Sequence, residues 1–288
     1  MLLQQIVSGL AMGSIYALVA VGFVLIYKST EVTNFAQGEF MMVGAFIAFT
    51  CINFFSIPFL PALAITLIFM FFFGVVVERI VIRPLVGEEA VAIVLATIGL
   101  GILVRSIAGM IWGYDTYQFK SGITDYPVRL GALSISSVHL WIIGITLALI
   151  IVLYFFFSRT KMGISMEATS QNQLAAFLMG IGVNTVFSRI WAISAVVAAV
   201  GGVLITPIHF LNYNMGFIGL RAFPAAVLGG FGSIPGAILG GVIIGVSESL
   251  AGVYLPRGFK DVFAWIILFV VLMIRPKGIF GIQERKRV

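Results

Sequence analysis

The sequence predicts an all-α polytopic membrane protein, and three observations support this fold class. Of the 288 residues, 61% are hydrophobic and only 10% are charged, whereas a soluble domain carries about 25% charged residues. The mean hydropathy of the chain is +1.14. The apolar residues form long runs, and because one span needs about 20 of them, the length suits about eight or nine transmembrane segments. We therefore expect a single membrane domain over residues 1–288.

Nine apolar segments follow one another along the chain. They lie near residues 4–26, 35–54, 60–81, 90–111, 138–157, 186–210, 217–228, 234–254 and 262–274. The seventh is short and interrupted by glycines, so we expect broken or half-length helices among the spans. Residues 17–26 (ALVAVGFVLI) resemble residues 196–205 (VVAAVGGVLI). An inverted repeat would produce this match, and so would chance similarity between two apolar stretches.

The basic residues predict how the chain is oriented. The net charge is +6, and because Lys and Arg accumulate in the cytoplasmic loops of membrane proteins, we interpret it as orientation and not as nucleic-acid binding. The residues that place the segment after the fifth span and the C-terminal tail in the cytoplasm are Arg159, Lys161, Lys277, Arg285, Lys286 and Arg287. Counting back through nine segments puts the N-terminus outside and makes 113–137 the largest external loop. A re-entrant segment at 217–228 would shift this count by one.

Polar residues interrupt the apolar sequence between the first two spans. The stretch TNFAQGEF (33–40) contains Asn34, Gln37, Gly38 and Glu39. Lipid offers no partner to freed backbone groups, so a break at membrane depth must line a cavity or be buried in protein. A half-helix starting near Gly38 would direct its partial positive charge at an anionic group, and Glu39 would meet an ammonium group or an arginine. The alternative is a plain cytoplasmic turn capped by Asn34.

Glycines interrupt the chain a second time before the eighth span. The stretch LGGFGSIPGAILGG (228–241) indicates a break followed by a helix start, because glycine permits positive φ and proline suits the first helical turn. We assign Gly230, Gly232 and Ser233 to a translocation pathway, together with the residues of the first break. The later glycines recur at helical spacing, so we expect them to pack against another helix.

Three charged residues lie inside apolar segments. An arginine at the centre of a span costs about 2.5–3.5 kcal/mol on insertion scales, so it usually faces the bundle interior or a wet cavity. Arg189 lies near a span end and can extend to the interface. Arg105 lies mid-span, and we expect it to line the pathway or to pair with a buried carboxylate such as Glu39 or Glu248. We predict no metal site, because the two histidines have no HExxH arrangement or nearby acidic ligands.

The residues after the fifth span form a mixed cytoplasmic segment, 159–184. Residues 167–179 are rich in helix formers, and glycines follow as helix stops. Such a helix can lie at the membrane interface or dock into the groove of a partner. The chain has no GxxxxGKS/T loop, the usual cradle for nucleotide phosphates. ATP energy, if used, must therefore come from another subunit.

The chain resembles the permease subunits of branched-chain amino-acid (Liv-type) ABC importers, specifically the LivH-like member. The resemblance rests on stretches that follow one another over nearly the whole sequence. They are GSIYALVAVGFVLIY (13–27), NFAQGE (34–39), VERIVIRPL (77–85), ATIGLGILVR (96–105), SRTKMGISMEATSQNQLAAFLMGIGVN (158–184), AAVLGGFGSIPGAILGG (225–241) and KDVFAWIILFVVLMIRPKGIFG (260–281).

The resemblance implies a permease of the bacterial inner membrane and not an enzyme. It implies as partners a second, LivM-like permease, two cytoplasmic ATPase subunits and a periplasmic substrate-binding protein. No catalytic residue and no cofactor of this chain are then expected, since the partner ATPases would use ATP and Mg. The segment 159–184 would contain the helix that couples the permease to an ATPase, and we assign to it Glu167, Ala168, Ala175, Ala176 and Gly180.

The substrate stays open between several classes. Branched-chain or other small amino acids are expected, because a largely apolar cavity with few charges suits a small zwitterion. A related permease for urea, amides or aromatic acids is the alternative. An ion-coupled secondary transporter acting through Glu39, Arg105 and Glu248 is another, and so is a channel-like or structural membrane protein.

Overall fold

The computed structural model of the chain describes residues 2–118, 125–130, 133–256 and 258–281. Within these ranges the chain forms twelve α-helices and one short hairpin. The helices are α1 (Leu2–Thr30), α2 (Gln37–Asn53), α3 (Phe59–Val77), α4 (Ala90–Trp112), α5 (Ser137–Arg159), α6 (Lys161–Gln171), α7 (Gln173–Leu178), α8 (Val183–Ile205), α9 (Gly216–Leu220), α10 (Ala222–Gly229), α11 (Ile234–Tyr254) and α12 (Phe259–Ile274).

The predicted all-α polytopic fold class is confirmed. Six helices are long and apolar enough to cross a membrane: α1, α3 with its extension to Leu85, α4, α5, α8 and α11. Shorter apolar helices occupy Gly216–Gly229 and Val262–Ile274. Each of the nine predicted apolar segments contains helix, although the sixth ends at Ile205 and not at residue 210. The second, α2, has only 17 residues, and the seventh is divided into α9 and α10, as the prediction of broken or half-length helices required.

The helix α3 continues into a turn of different geometry. Glu78–Ile82 is π-helical, and Arg83–Leu85 is a 3₁₀ turn. The buried carboxylate of Glu78 accepts hydrogen bonds from Arg83 at 2.9 and 3.1 Å and from the Ser188 hydroxyl at 2.6 Å. This network joins the end of α3 to the start of α8.

The predicted external loop contains a hairpin that we did not expect from the sequence. Strands β1 (Pro127–Leu130) and β2 (Leu133–Ser136) pair antiparallel, with Pro127 opposite Ser136. Tyr117 forms a separate bridge with Leu211, which follows α8. The loop therefore packs on the segment between α8 and α9.

The centre of the bundle is formed by α1 and α8, whose side chains are largely buried. Glycines let α1 and α11 approach closely as an antiparallel pair. A Cβ atom on Gly13 would lie 2.8 Å from the Gly241 carbonyl oxygen, and one on Gly245 would lie 2.2 Å from the Gly13 Cα. The packing role predicted for Gly241 and Gly245 is confirmed. By contrast, α3, α4, α5 and α12 expose many large apolar side chains, as expected for helices that contact lipid.

The orientation derived from the basic residues remains a prediction. Lys277 lies beyond α12 within the described part of the chain, whereas Arg285, Lys286 and Arg287 lie outside it. In the count of nine segments, α1 is the first span and α11 is the eighth, so they should cross the membrane in opposite directions. Their antiparallel packing agrees with this expectation.

Candidate functional site

The break between α1 and α2 is a buried turn held by two amide side chains. Asn34 and Gln37 are both fully buried. The Asn34 Oδ1 accepts the Ala36 backbone N–H at 3.0 Å, and its Nδ2 donates to Gln37 Oε1 at 3.2 Å. Gln37 in turn donates to the Ser194 carbonyl at 3.3 Å. The break is therefore a buried turn and not a plain solvated one. Its two side-chain amides form hydrogen bonds with backbone groups and with each other.

Glu39 and Arg105 form an ion pair inside the membrane bundle. Glu39 lies in the first turn of α2, with only 2% of its side chain exposed, and it accepts a hydrogen bond from Arg105 Nη2 on α4. Of the two partners predicted for Arg105, the structure selects Glu39. The Arg105 guanidinium also lies over the Phe217 ring of α9, 3.9 Å from its centroid. Its Nε is buried without a hydrogen-bond partner among the described atoms.

Glycines make room for the Glu39 carboxylate. A Cβ on Gly216 would lie 2.7 Å from Glu39 Oε1, and one on Gly101 would lie 3.3 Å from Oε2. A Cβ on Gly38 would meet the Gly216 carbonyl oxygen at 2.1 Å. The start of α2 and the start of α9 are therefore in direct backbone contact, and only glycine fits at this contact.

A cavity of about 200 Å³ opens beside the ion pair. Glu39 and Arg105 form its polar wall, and the rest of the lining is apolar, with Phe35, Ile98, Ile102 and Phe217 among the residues. Arg105 is partly exposed to the cavity. An anionic and a cationic group on one wall, facing an apolar surface, complement a molecule with both charges and an aliphatic side chain.

Sequence reasoning selected Gly38, Glu39 and Arg105 for this site but missed Gly101, Gly216 and Phe217. Nothing in the sequence indicated that Gly216 would lie on Glu39. The pairing joins segments that are far apart in the chain. Only the folded structure brings them together.

The second break lies apart from this cavity. Gly230 has a φ of +95°, and the Ser233 hydroxyl accepts the Gly236 N–H at 3.1 Å and so caps α11. The C-terminal residues cover the break, because Ile279 N–H donates to the Leu228 carbonyl at 2.8 Å and Phe280 N–H to Gly229 at 3.1 Å.

The pathway role of Gly230, Gly232 and Ser233 therefore stays a prediction. None of the three lines the cavity beside Glu39.

Aromatic rings connect the two breaks. The Phe35 ring lies 5.4 Å from that of Phe223, which lies 5.7 Å from Phe231 in the second break. Phe231 contacts Tyr27 near the end of α1, at 4.6 Å between centroids. Because Phe35 also lines the cavity, this row of rings runs from the cavity towards the end of α1 that is predicted to be cytoplasmic.

The segment 159–184 forms two helices where we expected one across 167–179. Asn172 ends α6, and its side chain accepts the Ala175 N–H at 2.9 Å to begin α7. Asparagine is a preferred N-cap residue, and this is the physical reason for the interruption. Gly180, at a φ of +84°, follows the end of α7 and satisfies the predicted helix stop.

Polar contacts tie this segment to the end of α1. Glu167 on α6 forms an ion pair with Lys28, and Gln173 donates to the Ser29 carbonyl at 3.2 Å. Ala176 is buried against the bundle, whereas Ala175 is exposed. The large apolar side chains that α7 leaves exposed are Leu174, Phe177, Leu178 and, just beyond its end, Met179.

Within the described residues, no group of three or more His, Cys, Asp or Glu side chains could hold a metal ion.

The other buried carboxylate considered for Arg105, that of Glu248, accepts a hydrogen bond from the Tyr16 hydroxyl at 2.8 Å. Glu248 thus belongs to a separate cluster between α1 and α11.

Comparison with known families places these features in context. The sequence profile of the family described as "Branched-chain amino acid transport system / permease component" matches residues 5–272. The match begins in the first turn of α1, covers α2 to α11 completely and ends within α12.

Curated proteins of known name are similar over nearly the full length. The high-affinity branched-chain amino acid transport system permease protein BraD of Pseudomonas aeruginosa is 35% identical, with 99% of this chain and 98% of that protein covered. The corresponding protein LivH of Escherichia coli K12 is 31% identical, with 99% and 97% covered. A probable LivH of Methanocaldococcus jannaschii is 30% identical, with 95% and 90% covered.

Among solved structures, a chain of PsaBC from Streptococcus pneumoniae in complex with Fab aligns with a TM-score of 0.48. The two chains are 15% identical, and the alignment covers 96% of this chain and 92% of the other.

Proposed function

The chain belongs to the family of permease components of branched-chain amino acid transport systems, and from this premise we propose that it is the translocating subunit of an ABC importer for branched-chain or other small amino acids. The observation that carries the substrate class is the Glu39–Arg105 pair on the wall of an apolar cavity.

The chemistry of the cavity suits an aliphatic zwitterion. Glu39 can accept hydrogen bonds from an ammonium group, and Arg105 can donate to a carboxylate in a charge-assisted pair. An aliphatic side chain would fill the surface formed by Phe35, Ile98 and Ile102. A neutral amide or urea could form hydrogen bonds with Glu39 and Arg105, but it would leave the apolar surface unfilled.

The proposed partners would complete the cavity, supply the energy for transport and deliver the solute. A second, LivM-like permease would cover the cavity, since an ion pair facing lipid is costly. Two cytoplasmic ATPase subunits would bind ATP and Mg, and a periplasmic binding protein would deliver the solute. The named relatives are permease components of transport systems, which supports an assembly of this kind.

Coupling to the ATPase is assigned to 159–184. The exposed apolar face of α7 (Leu174, Phe177, Leu178 and Met179) offers a docking surface of the helix-in-groove type. Movement of this segment would reach α1 through the Lys28–Glu167 pair. With the N-terminus periplasmic and the C-terminus cytoplasmic, the spans would open alternately to the two sides as ATP is bound and hydrolysed.

Uptake by the assembled transporter tests this function. The full complex, with its binding protein outside and ATP trapped inside proteoliposomes, would be offered radiolabelled leucine, urea and benzoate in turn. We expect ATP-dependent accumulation of leucine that is unaffected when ionophores dissipate proton and sodium gradients. Accumulation that follows an ion gradient without ATP would overturn the ABC assignment, and a preference for urea or benzoate over leucine would overturn the substrate class.

A further inference from the structure

A cavity of about 490 Å³ lies where α6 meets the start of α8, on the side predicted to be cytoplasmic. Residues of α6 form one wall, and the turn between α7 and α8 forms the other together with the first turns of α8. This cavity shares no lining residue with the cavity beside Glu39 and has more than twice its volume. It is therefore a separate space, which we call the α6–α8 cavity.

Two basic side chains line the α6–α8 cavity. They are Lys161, the first residue of α6, and Arg189, in the second turn of α8. In the part of the chain that the structure describes, neither base forms an ion pair, and no Asp or Glu lines the cavity. Arg189 Nη1 donates to the Met162 sulfur at 2.7 Å, and a thioether is a weak acceptor. The guanidinium therefore keeps most of its capacity to bind an anion.

The start of α8 adds partial positive charge to these two bases. Gly182 precedes the helix, lines the cavity, and provides no side-chain cap. The first N–H groups of a helix have no acceptor within the helix and favour a nearby anion. Gly180, at a φ of +84°, leaves the same edge open, because a Cβ there would meet nothing within 4 Å. Backbone donors and both bases therefore surround one space.

Apolar groups border the same space. Ile181 and the buried Val186 line the cavity, and Ile164, one turn after Lys161 on α6, is 58% exposed. A free phosphate ion gains nothing from such contacts, whereas the glycerol and acyl regions of a lipid do. Basic pockets on the cytoplasmic side of membrane helices attract anionic headgroups, and the planar guanidinium of arginine suits phosphate oxygens. The combination therefore favours a lipid over a soluble anion.

We propose that the α6–α8 cavity binds the phosphate group of an anionic phospholipid from the cytoplasmic leaflet, with Arg189 and Lys161 pairing with the phosphate oxygens. The site goes beyond the proposed function, because it requires the predicted orientation but no particular solute. The cavity is formed by α6 and by the turn that follows α7. A bound lipid would therefore hold the segment 159–184 at the membrane surface.

Photo-crosslinking tests the site in the assembled transporter. The complex would be placed in phosphatidylcholine nanodiscs that contain a small fraction of phosphatidylglycerol with a photoreactive headgroup. Labelled peptides of this chain would then be identified by mass spectrometry. We expect labelling of the peptides that line the α6–α8 cavity, with competition by unlabelled phosphatidylglycerol and none by additional phosphatidylcholine.

A matched pair of variants separates this cavity from general surface charge. Arg189→Gln and Arg159→Gln each remove one positive charge from an exposed side chain, but only Arg189 lines the cavity. We expect Arg189→Gln to reduce labelling several-fold, Lys161→Gln to reduce it as well, and Arg159→Gln to leave it at the level of the parent protein. Equal labelling in Arg189→Gln and Arg159→Gln would overturn the proposal.

Two further arms identify the occupant. Inorganic phosphate should reduce labelling no more than potassium chloride of equal ionic strength, which accounts for screening. A larger reduction by phosphate would assign the cavity to a soluble anion and overturn the lipid site.

The second arm compares complexes with and without the ATPases. Labelling that appears only after the ATPase subunits are removed would show that an ATPase covers the cavity, and would also overturn the proposal. No arm measures uptake, so normal leucine transport without labelling would contradict the lipid site and leave the importer intact.

Discussion

The Arg105 guanidinium lies 3.9 Å from the centroid of the Phe217 ring. Arg105 belongs to α4 and Phe217 to α9, and Glu39, which pairs with the same guanidinium, belongs to α2. Because α9 is a five-residue helix with glycines packed on α2, a small movement of α9 would change the surroundings of the ion pair. The cavity is thus sensitive to the position of this short helix.

Phe217 should therefore control the affinity of the cavity. Phe217→Leu removes the ring, and we expect the apparent KM for leucine uptake to rise by about twofold to thirtyfold, since cation–π contacts contribute about 0.5–2 kcal/mol. Phe217→Tyr keeps the ring and serves as the control. Equal KM values for Phe217→Leu and the parent protein would show that the ring does not position Arg105.

Gly101 and Gly99, both on α4, give a matched pair of positions that tests the space around Glu39. Gly101→Ala places a Cβ 3.3 Å from Glu39 Oε2, whereas a Cβ on Gly99 meets nothing within 4 Å. We expect Gly99→Ala to transport normally, Gly101→Ala to transport more slowly, and Gly216→Ala, whose Cβ would lie 2.7 Å from Oε1, to be the most impaired. Overpacking a filled site costs about 1–3 kcal/mol. Initial uptake rates at equal amounts of assembled complex decide the order, and a reversed order of Gly99→Ala and Gly101→Ala would contradict the account.

The Lys28–Glu167 pair should matter for coupling and not for solute affinity. Both side chains are partly exposed, so the pair adds little to stability. We expect Glu167→Lys, which places two positive charges together, to increase the ATP hydrolysed per leucine transported, and the exchange Lys28→Glu with Glu167→Lys to restore the ratio. Glu88→Lys, on an exposed turn between α3 and α4, is the control. A ratio that stays high in the double variant would argue against a specific pair.

The exposed face of α7 should bind the ATPase. Met179→Glu alters a side chain that is 83% exposed, so the permease should fold normally. We expect the variant to lose the ATPase subunits during purification while it retains the second permease. If the variant retains all subunits at the levels of the parent protein, the ATPase does not dock on this face of α7.

Much of the fold could be predicted from hydropathy, because a membrane span is defined by length and apolar composition. Asn34, Gln37 and Glu39 were identified because polar groups at membrane depth need partners. The hairpin at 127–136 was missed, since four-residue strands in a loop leave little periodic signal. The interruption at Asn172 was missed as well, although asparagine before a helical stretch is a recognised start signal.

The ion pair shows the limit of such reasoning more clearly. The sequence indicated that Arg105 needs a carboxylate, yet Glu39 and Glu248 were equivalent on that ground. Their difference arises from tertiary contacts: Gly101 and Gly216 admit the Glu39 side chain, whereas Tyr16 holds Glu248 between α1 and α11. Contacts between distant segments of this kind carry no local pattern.

The most direct test of the importer site is the initial rate of ATP-dependent leucine uptake in Glu39→Gln and Arg105→Met, compared with Glu88→Gln. Each substitution at the pair removes one charge that faces the solute, and hydrogen bonds to charged groups contribute about 1.5–3 kcal/mol, so uptake should fall by at least about tenfold. Glu88→Gln should transport like the parent protein. Parent-like uptake by both Glu39→Gln and Arg105→Met, in complexes that assemble fully, would contradict the assignment of this cavity as the site of translocation.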